Sequence, residues 1–240
     1  MTTKKSFLKE NLPLVCGLIL TAIGITVTGI VFKQSPFRIL PLYISLLVAL
    51  LQSRMIRLAY LIGGLNSILY GVVFIHYHVY GSAASALLFN FPVQIVTYIL
   101  WSRKPWGSTT VFRKMSWKAR GLVAALFAAA VVGLQIALRL GGGNHVTLDS
   151  FSSLLGILTT ILVMFAVIEY APLMVLSGIL ALSLYCSMIA ESPEMSTYLV
   201  FQLYSLTCSS VAFFRIRKVY REQRSAAKET EKGPLEAPEN

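Results

Sequence analysis

Eight apolar segments, each close to the length of a membrane-spanning helix, constrain the fold of this chain more than any other feature. They cover residues 12–32, 37–52, 56–75, 81–101, 120–140, 148–168, 171–189 and 197–214. About 20 apolar residues in a helix cross the roughly 30 Å hydrocarbon core of a bilayer. Strands with open edges would leave backbone groups unpaired in lipid, and the segments lack the polar–apolar alternation of a transmembrane barrel. The sequence therefore predicts an all-α integral membrane protein with about eight transmembrane helices.

Composition argues against the soluble alternatives. Of the 240 residues, 56% are hydrophobic and only 13% are charged, whereas soluble domains carry about 25% charged residues. The net charge of +11 comes from basic clusters between the apolar segments and in the tail, so we expect no nucleic-acid partner. Cys16, Cys186 and Cys208 lie within apolar segments, and His76 and His78 have no further ligand nearby in sequence. We therefore predict neither a metal nor a cofactor.

The distribution of lysine and arginine predicts the orientation of the helices. With a cytoplasmic N-terminus, the cytoplasmic segments carry eighteen of the 21 basic residues, and the opposite side carries Lys33, Arg38 and Arg139. The positive-inside rule then favours eight spans in the cell (inner) membrane, with both termini cytoplasmic. The first apolar segment is about twice as long as that of a signal peptide, so we interpret it as a retained helix.

A faint internal similarity indicates a repeat. The stretch from Gly63 to Tyr70 resembles the stretch from Gly178 to Tyr185, about 115 residues later. A single linker helix between two triples gives both triples the same orientation, which predicts parallel repeats with a binding site at their interface. The predicted divisions are an N-terminal segment and first helix, a first triple, a basic loop with the linker helix, a second triple and a disordered tail: 1–36, 37–104, 105–147, 148–218 and 219–240.

The fourth apolar segment carries the densest polar face. Five polar or aromatic residues follow i, i+4, i+7, i+8, i+11 spacing, which places them on one side of a helix: Asn90, Gln94, Thr97, Tyr98 and Trp101. Pro92 would free a backbone carbonyl and allow a kink. Amides and aromatic rings suit a hydroxylated ligand that bears a ring, although such residues can also hold helices together.

Other segments supply fewer candidates. Asn66 and Tyr70 lie four residues apart on the third segment, and Gln202 is the one amide among the serines and threonines of the second triple. Asp149 and Glu169 stand at segment ends rather than at mid-membrane. Coupling to protons or sodium ions usually needs an acidic residue within the membrane or the backbone carbonyls of an unwound helix segment. We therefore expect passive transport of the substrate down its own concentration gradient.

These residues resemble the PnuC-type vitamin-precursor transporters over roughly residues 37–218. The resemblance is carried by Gly64-Leu65-Asn66 with Tyr70, by Asn90-Phe91-Pro92-Val93-Gln94, and by Trp101-Ser102-Arg103-Lys104. It implies a three-plus-one-plus-three arrangement similar to that of SWEET sugar transporters, preceded here by one extra N-terminal helix. It also implies facilitated diffusion of a small neutral vitamin precursor, first of all nicotinamide riboside, trapping by a cytoplasmic kinase, and a homotrimer. Thiamine, riboflavin or another nucleoside are the alternative substrates.

The sequence departs from the resemblance at several positions. The family's riboside carriers tend to have two tryptophans where this chain has Tyr98 and Trp101, an amide in place of Ser177, and a tryptophan in place of Pro172. With no basic residue at mid-span, a phosphate-bearing nucleotide is not expected. The predicted substrate-binding set is Asn66, Tyr70, Asn90, Gln94, Thr97, Tyr98, Trp101, Ser177 and Gln202.

Two other classes of function compete with a carrier. An intramembrane enzyme would need a set such as HExxH, GxSxG or paired acids within a span, and the sequence contains none. A non-transporting membrane scaffold or sensor stays open as an alternative, although the one-sided polar helix favours a lined pathway.

Overall fold

The computed structural model describes residues 3–78, 80–141 and 146–232. Within these ranges, eight helices are long and apolar enough to cross a membrane, which confirms the predicted number of spans. The elements are α1 Thr3–Val31, α2 Pro36–Ser53, α3 Leu58–His76, α4 Tyr80–Ala84, a π-helical turn Ser85–Asn90, α5 Phe91–Arg103, β1 Pro105–Trp106, β2 Thr109–Thr110, α6 Trp117–Leu140, α7 Val146–Met164, α8 Tyr170–Ile189, a 3₁₀ turn Pro193–Met195 and α9 Ser196–Lys232.

Local sequence explains where several helices begin. Helix α2 starts at Pro36, since proline fits the first helical position, where its missing N–H would have no intrahelical acceptor. Helix α6 starts after Ser116, whose Oγ accepts a hydrogen bond from the Ala119 backbone N–H at 3.2 Å. The span predicted from 37 to 52 is therefore a complete helix in spite of Pro41 in its second turn.

The fourth span is interrupted rather than continuous. It runs through α4, a π-helical turn and α5, and the Phe91 backbone N–H donates to the Ala86 carbonyl in the wider π pattern. Pro92 follows directly and has no N–H to donate to the previous turn, so the wider turn accommodates the proline without a break. The sequence predicted a kink at this position, and the structure places the irregularity one turn earlier.

The helices pack as two groups of three that meet along two seams. Helix α3 contacts α2 and α5, while α8 contacts α7 and α9. The groups meet where α2 packs on α9 and where α5 packs on α7. Helix α1 packs against α2 and α9 outside this ring, and α6 contacts α7. Close approach of α1 to α9 depends on Gly24, where an added Cβ would lie 2.9 Å from Val200 Cγ1.

Helix α9 continues through Lys232, although its charged composition predicted disorder from residue 219 onward. The extension is stabilised by Gln223, whose side chain is buried at 7% exposure. Its Nε2 donates to the Thr110 carbonyl at 2.8 Å, and its Oε1 accepts from the Phe112 backbone N–H at 2.9 Å. Composition does not reveal these contacts with a distant loop. The last part of the predicted tail, 233–240, lies outside the described residues.

Candidate binding site

A cavity of about 380 Å³ lies between the two groups of helices. Its size is within the range of small-molecule sites. Four side-chain amides line it, together with several hydroxyl groups and two tyrosines, and no charged side chain is among its described lining residues. The amides are Gln52, Asn90, Gln94 and Gln202. The cavity therefore offers many hydrogen-bonding groups and no fixed charge.

Five of the nine predicted site residues line this cavity: Asn90, Gln94, Thr97, Ser177 and Gln202. Each group of three helices contributes, because the first three belong to the fourth span and the others to α8 and α9. The side chains of Asn90 and Ser177 form no hydrogen bond with any described residue. Thr97 instead donates to the Val93 carbonyl of its own helix at 2.7 Å. Asn90 and Ser177 can therefore bond a ligand without losing a protein partner.

Gln94 is positioned by a glycine on the neighbouring helix. Its Nε2 donates to Ser67 Oγ at 3.3 Å, and its buried Oε1 has no hydrogen-bond partner among the described residues. An added Cβ at Gly63 would lie only 2.0 Å from that Oε1. The side chain of Gln94 therefore fits only because residue 63 is a glycine.

The second group of helices contains a similar pairing. Gln202 on α9 donates from Nε2 to the Gly178 carbonyl on α8 at 3.2 Å. Gly63 and Gly178 begin the two stretches that the sequence similarity aligned. In both groups, a glutamine of the third helix thus meets the glycine that begins the similar stretch on the second helix.

Asn66 and Tyr70 lie away from the cavity and join α3 to α2. Asn66 is 4% exposed, and its Nδ2 donates to the Pro41 carbonyl at 3.0 Å and to Ser45 Oγ at 2.9 Å. The Tyr70 hydroxyl is 3.2 Å from the same Ser45 Oγ. Both residues therefore hold helices together, which was the alternative interpretation of such polar groups.

Trp101 and Tyr98 belong to an apolar cluster below the cavity. Trp101 is 1% exposed, and its indole N–H donates to the Val163 carbonyl at 2.9 Å. Its ring centroid lies 4.8 Å from that of Tyr60 and 5.7 Å from that of Phe112. Tyr98 packs against the same cluster. Tyr60 and Val163 also line the cavity, so Trp101 stabilises the cavity lining through its contacts with these two residues.

Several lining residues were not among the predicted set. Gln52 is an amide at the end of the second span, and this polar position in an apolar segment could have indicated it. Tyr60 and Tyr170 stand at the starts of α3 and α8, where aromatic residues resemble ordinary interfacial anchors. Thr159 Oγ1 is buried and has no hydrogen-bond partner among the described residues, whereas the hydroxyl of the neighbouring Thr160 donates to the Gly156 carbonyl of its own helix at 2.8 Å.

Aromatic side chains are concentrated at both ends of the cavity-forming helices. Tyr60, Trp101, Phe112 and Tyr170 pack together at the end with the basic loops. At the opposite end, Tyr185 and Tyr198 stack with centroids 6.0 Å apart. The cavity begins at the first of these regions, where Tyr60 and Tyr170 line it, and extends along α8 and α9 toward the second.

A bundle with eight helices that can span a membrane, six of which surround a polar cavity with no charged side chain among its described lining residues, is the architecture of a multi-pass membrane transporter. Residues 35–215 match the family described as nicotinamide mononucleotide transporter. The chain therefore belongs to this family, the PnuC transporters, as its resemblance in sequence predicted.

The fold is similar to that in the crystal structure of the vitamin B3 transporter PnuC. The TM-score is 0.70 with 20% sequence identity, over 89% of this chain and 92% of that chain. This likeness shows the fold. No curated protein sequence matches the chain significantly.

Proposed function

We propose that this transporter carries nicotinamide riboside, in preference to its phosphorylated form, by facilitated diffusion across the inner membrane. The observation that carries the proposal is the cavity lining, which has four amides and no charged side chain among its described residues. A phosphate group that enters this cavity loses its hydration and finds no cationic side chain to pair with. Such an unpaired buried charge costs about 3–5 kcal/mol. The nucleoside lacks that phosphate.

The hydrogen-bonding groups of the cavity suit a ribose and a carboxamide. The amide of Asn90, the hydroxyl of Ser177 and Thr159 Oγ1 have no partner among the described residues. Ribose hydroxyls can both donate to and accept from such groups. Tyr60 and Tyr170 add ring surface at the same site, where an aromatic ring can stack.

Nicotinamide riboside carries one positive charge on its pyridinium ring, so the neutral substrate expected from the sequence is wrong for this molecule. Tyrosine rings and amide oxygens can stabilise such a cation without a carboxylate. A monovalent cation also responds to membrane potential. A negative interior therefore favours entry of the riboside without any coupled ion.

Two carboxylates at the ends of cavity-lining helices are placed in a way that supports passive transport. Asp149 lies in the first turn of α7 and accepts a hydrogen bond from Ser153 at 3.2 Å. Glu169 pairs with Arg120, whose Nε lies 3.0 Å from the carboxylate. Since neither lines the cavity, we propose that phosphorylation by a cytoplasmic kinase traps the substrate and that no ion drives it.

The proposal extends to the organisation of the chain. We propose two parallel triples, α2–α5 and α7–α9, with α6 as their linker, and the glycine–glutamine pairs at 63–94 and 178–202 support this relation. The basic residues favour cytoplasmic termini. A homotrimer, as the resemblance implies, is the proposed assembly.

Uptake into proteoliposomes tests the proposed function. Labelled nicotinamide riboside should enter saturably and, with an interior potential of about −100 mV, accumulate up to ~50-fold. The mononucleotide should compete at least about 100-fold less strongly. Equal competition by the mononucleotide would contradict the riboside assignment. Binding without uptake would favour a sensor, and stronger competition by thiamine or riboflavin would reassign the substrate.

Filling the cavity should abolish transport while the fold is kept. Gly156 lines the cavity, and an added Cβ there meets no atom within 4 Å, so Gly156→Leu fits sterically and takes up space needed by the ligand. We expect riboside uptake to fall at least tenfold with little change in melting temperature. Gly133→Leu on α6 is the matched control, because its Cβ also meets no atom within 4 Å. Equal activity of the two variants would show that the cavity is not the transport path.

A further inference from the structure

A second pocket lies at the basic end of the helical bundle, between α5 and α7. It has a volume of about 350 Å³ and shares no lining residue with the central cavity. Its lining includes the apolar side chains of Leu100 and Phe165. It also includes the basic residues Arg103, Lys104 and Arg113. The pocket thus combines an apolar surface with a positive one.

The pocket is built by backbone and side-chain contacts of the loop between α5 and α6. Arg113 donates from Nε to the Phe165 carbonyl at 2.9 Å, and its backbone N–H donates to the Ala166 carbonyl at 3.0 Å. The Ile168 N–H returns a bond of 2.9 Å to the Arg113 carbonyl. These bonds fix the loop against the end of α7, so the exposed Arg113 side chain is anchored beside the pocket through its Nε.

Arg103 and Lys104 supply positive charge that the described part of the chain does not neutralise. Both side chains are exposed, and neither pairs with a carboxylate among the described residues. The Lys104 carbonyl accepts bonds from Thr110 Oγ1 at 3.0 Å and from the Val111 N–H at 3.1 Å, which fixes the backbone at this point. The pocket is therefore lined by three cationic residues, Arg103, Lys104 and Arg113, which can bind an anion.

We propose that this pocket binds an anionic phospholipid of the cytoplasmic leaflet. Arginine and lysine bind phosphate oxygens by charge-assisted hydrogen bonds, and basic pockets between transmembrane helices bind acidic headgroups. Leu100 and Phe165 stand at the ends of two helices long and apolar enough to cross a membrane, α5 and α7, so an acyl chain beside these helices can reach them. Phe165 is 44% exposed, as a side chain in contact with lipid would be.

A soluble phosphorylated molecule shares the same headgroup chemistry. The lipid is favoured because Leu100, Val111 and Phe165 give the pocket an apolar surface that a free phosphate would leave uncovered. The site is independent of the substrate of the central cavity, while its assignment to the cytoplasmic leaflet rests on the orientation proposed above.

Native mass spectrometry and thermal unfolding of the full-length protein in detergent test the inference, with phosphatidylglycerol and phosphatidylcholine as probes. Phosphatidylglycerol should give a retained adduct and a higher melting temperature, whereas phosphatidylcholine should give neither. Removing two cations in Arg103→Gln/Lys104→Gln should weaken binding about 30-fold. The matched control is Lys118→Gln/Lys228→Gln, which removes the same charge from exposed positions outside this pocket and should bind normally.

Four outcomes would overturn the inference. Equal loss of binding in the two double variants would show a general charge effect, and equal binding of both lipids would show non-specific adsorption. Unchanged phosphatidylglycerol binding in Arg103→Gln/Lys104→Gln would show that this pocket is not the lipid-binding site. Stabilisation by millimolar inorganic phosphate as strong as that by phosphatidylglycerol would identify a soluble phosphate as the occupant.

Discussion

Trp101→Ala is expected to lower the free energy of unfolding by about 3–5 kcal/mol, the usual cost of deleting a buried aromatic side chain. Trp101 is 1% exposed and packs between Tyr60 and Phe112, so alanine leaves a void beneath the cavity floor. Thermal unfolding in detergent measures the change. Trp101→Phe should cost less, because it keeps most of the ring contacts and loses the bond to the Val163 carbonyl.

This expectation differs from the one that sequence alone supports, in which Trp101 contacts the ligand directly. A stable Trp101→Ala protein with weakened riboside binding would restore the direct role. Loss of stability in Trp101→Ala with normal riboside affinity in Trp101→Phe would assign the residue to packing.

Gly63→Ala is expected to weaken riboside binding at least tenfold by displacing Gln94. A methyl group at residue 63 would lie 2.0 Å from Gln94 Oε1, a distance that no side chain tolerates. Gln94 must then leave its position against α3, with loss of the 3.3 Å bond to Ser67 Oγ and of its place in the cavity lining. Isothermal titration with nicotinamide riboside measures the effect.

Gly64→Ala is the matched control, because its added Cβ would come no closer than 3.0 Å to any atom, at the flexible Cδ1 of Ile95, and would stay 3.7 Å from Gln94. It should bind the riboside with nearly unchanged affinity. A double-variant cycle sharpens the test, because Gln94→Ala removes the clash. Gly63→Ala should therefore destabilise the wild-type protein and leave the Gln94→Ala protein nearly unaffected. Equal costs in both backgrounds would show that the glycine acts elsewhere.

Hydropathy and helical periodicity predicted the spans and part of the site because both depend on local sequence. The eight apolar segments correspond to eight helices, and three residues of the predicted face, Asn90, Gln94 and Thr97, line the cavity. Periodicity gives the side of a helix but not the depth of a cavity. The same face continues to Trp101, one turn past the last cavity-lining residue of this face, and there it meets the aromatic cluster instead of the central cavity.

The remaining differences between the sequence predictions and the structure come from contacts between residues that are far apart in sequence. Asn66 and Tyr70 are polar residues within a span, but Ser45 and the Pro41 carbonyl on α2 engage them. Gln223 lies in a charged segment typical of disorder, yet Thr110 and Phe112 more than 100 positions earlier hold it in a helix. No local pattern encodes such pairs, so only the folded structure could reveal them.

Helix α9 is a continuous helix of 37 residues, which corresponds to a length of roughly 55 Å. Gln202 lies on its cavity-lining part, and Gln223 lies about 30 Å further along the same axis. A tilt of α9 by about 5° around Gln202 would displace Gln223 by ~3 Å. That displacement is enough to break the hydrogen bonds of Gln223 to Thr110 and Phe112. A reorientation of α9 at the cavity would therefore displace its contacts with that loop farther than it displaces the cavity lining itself.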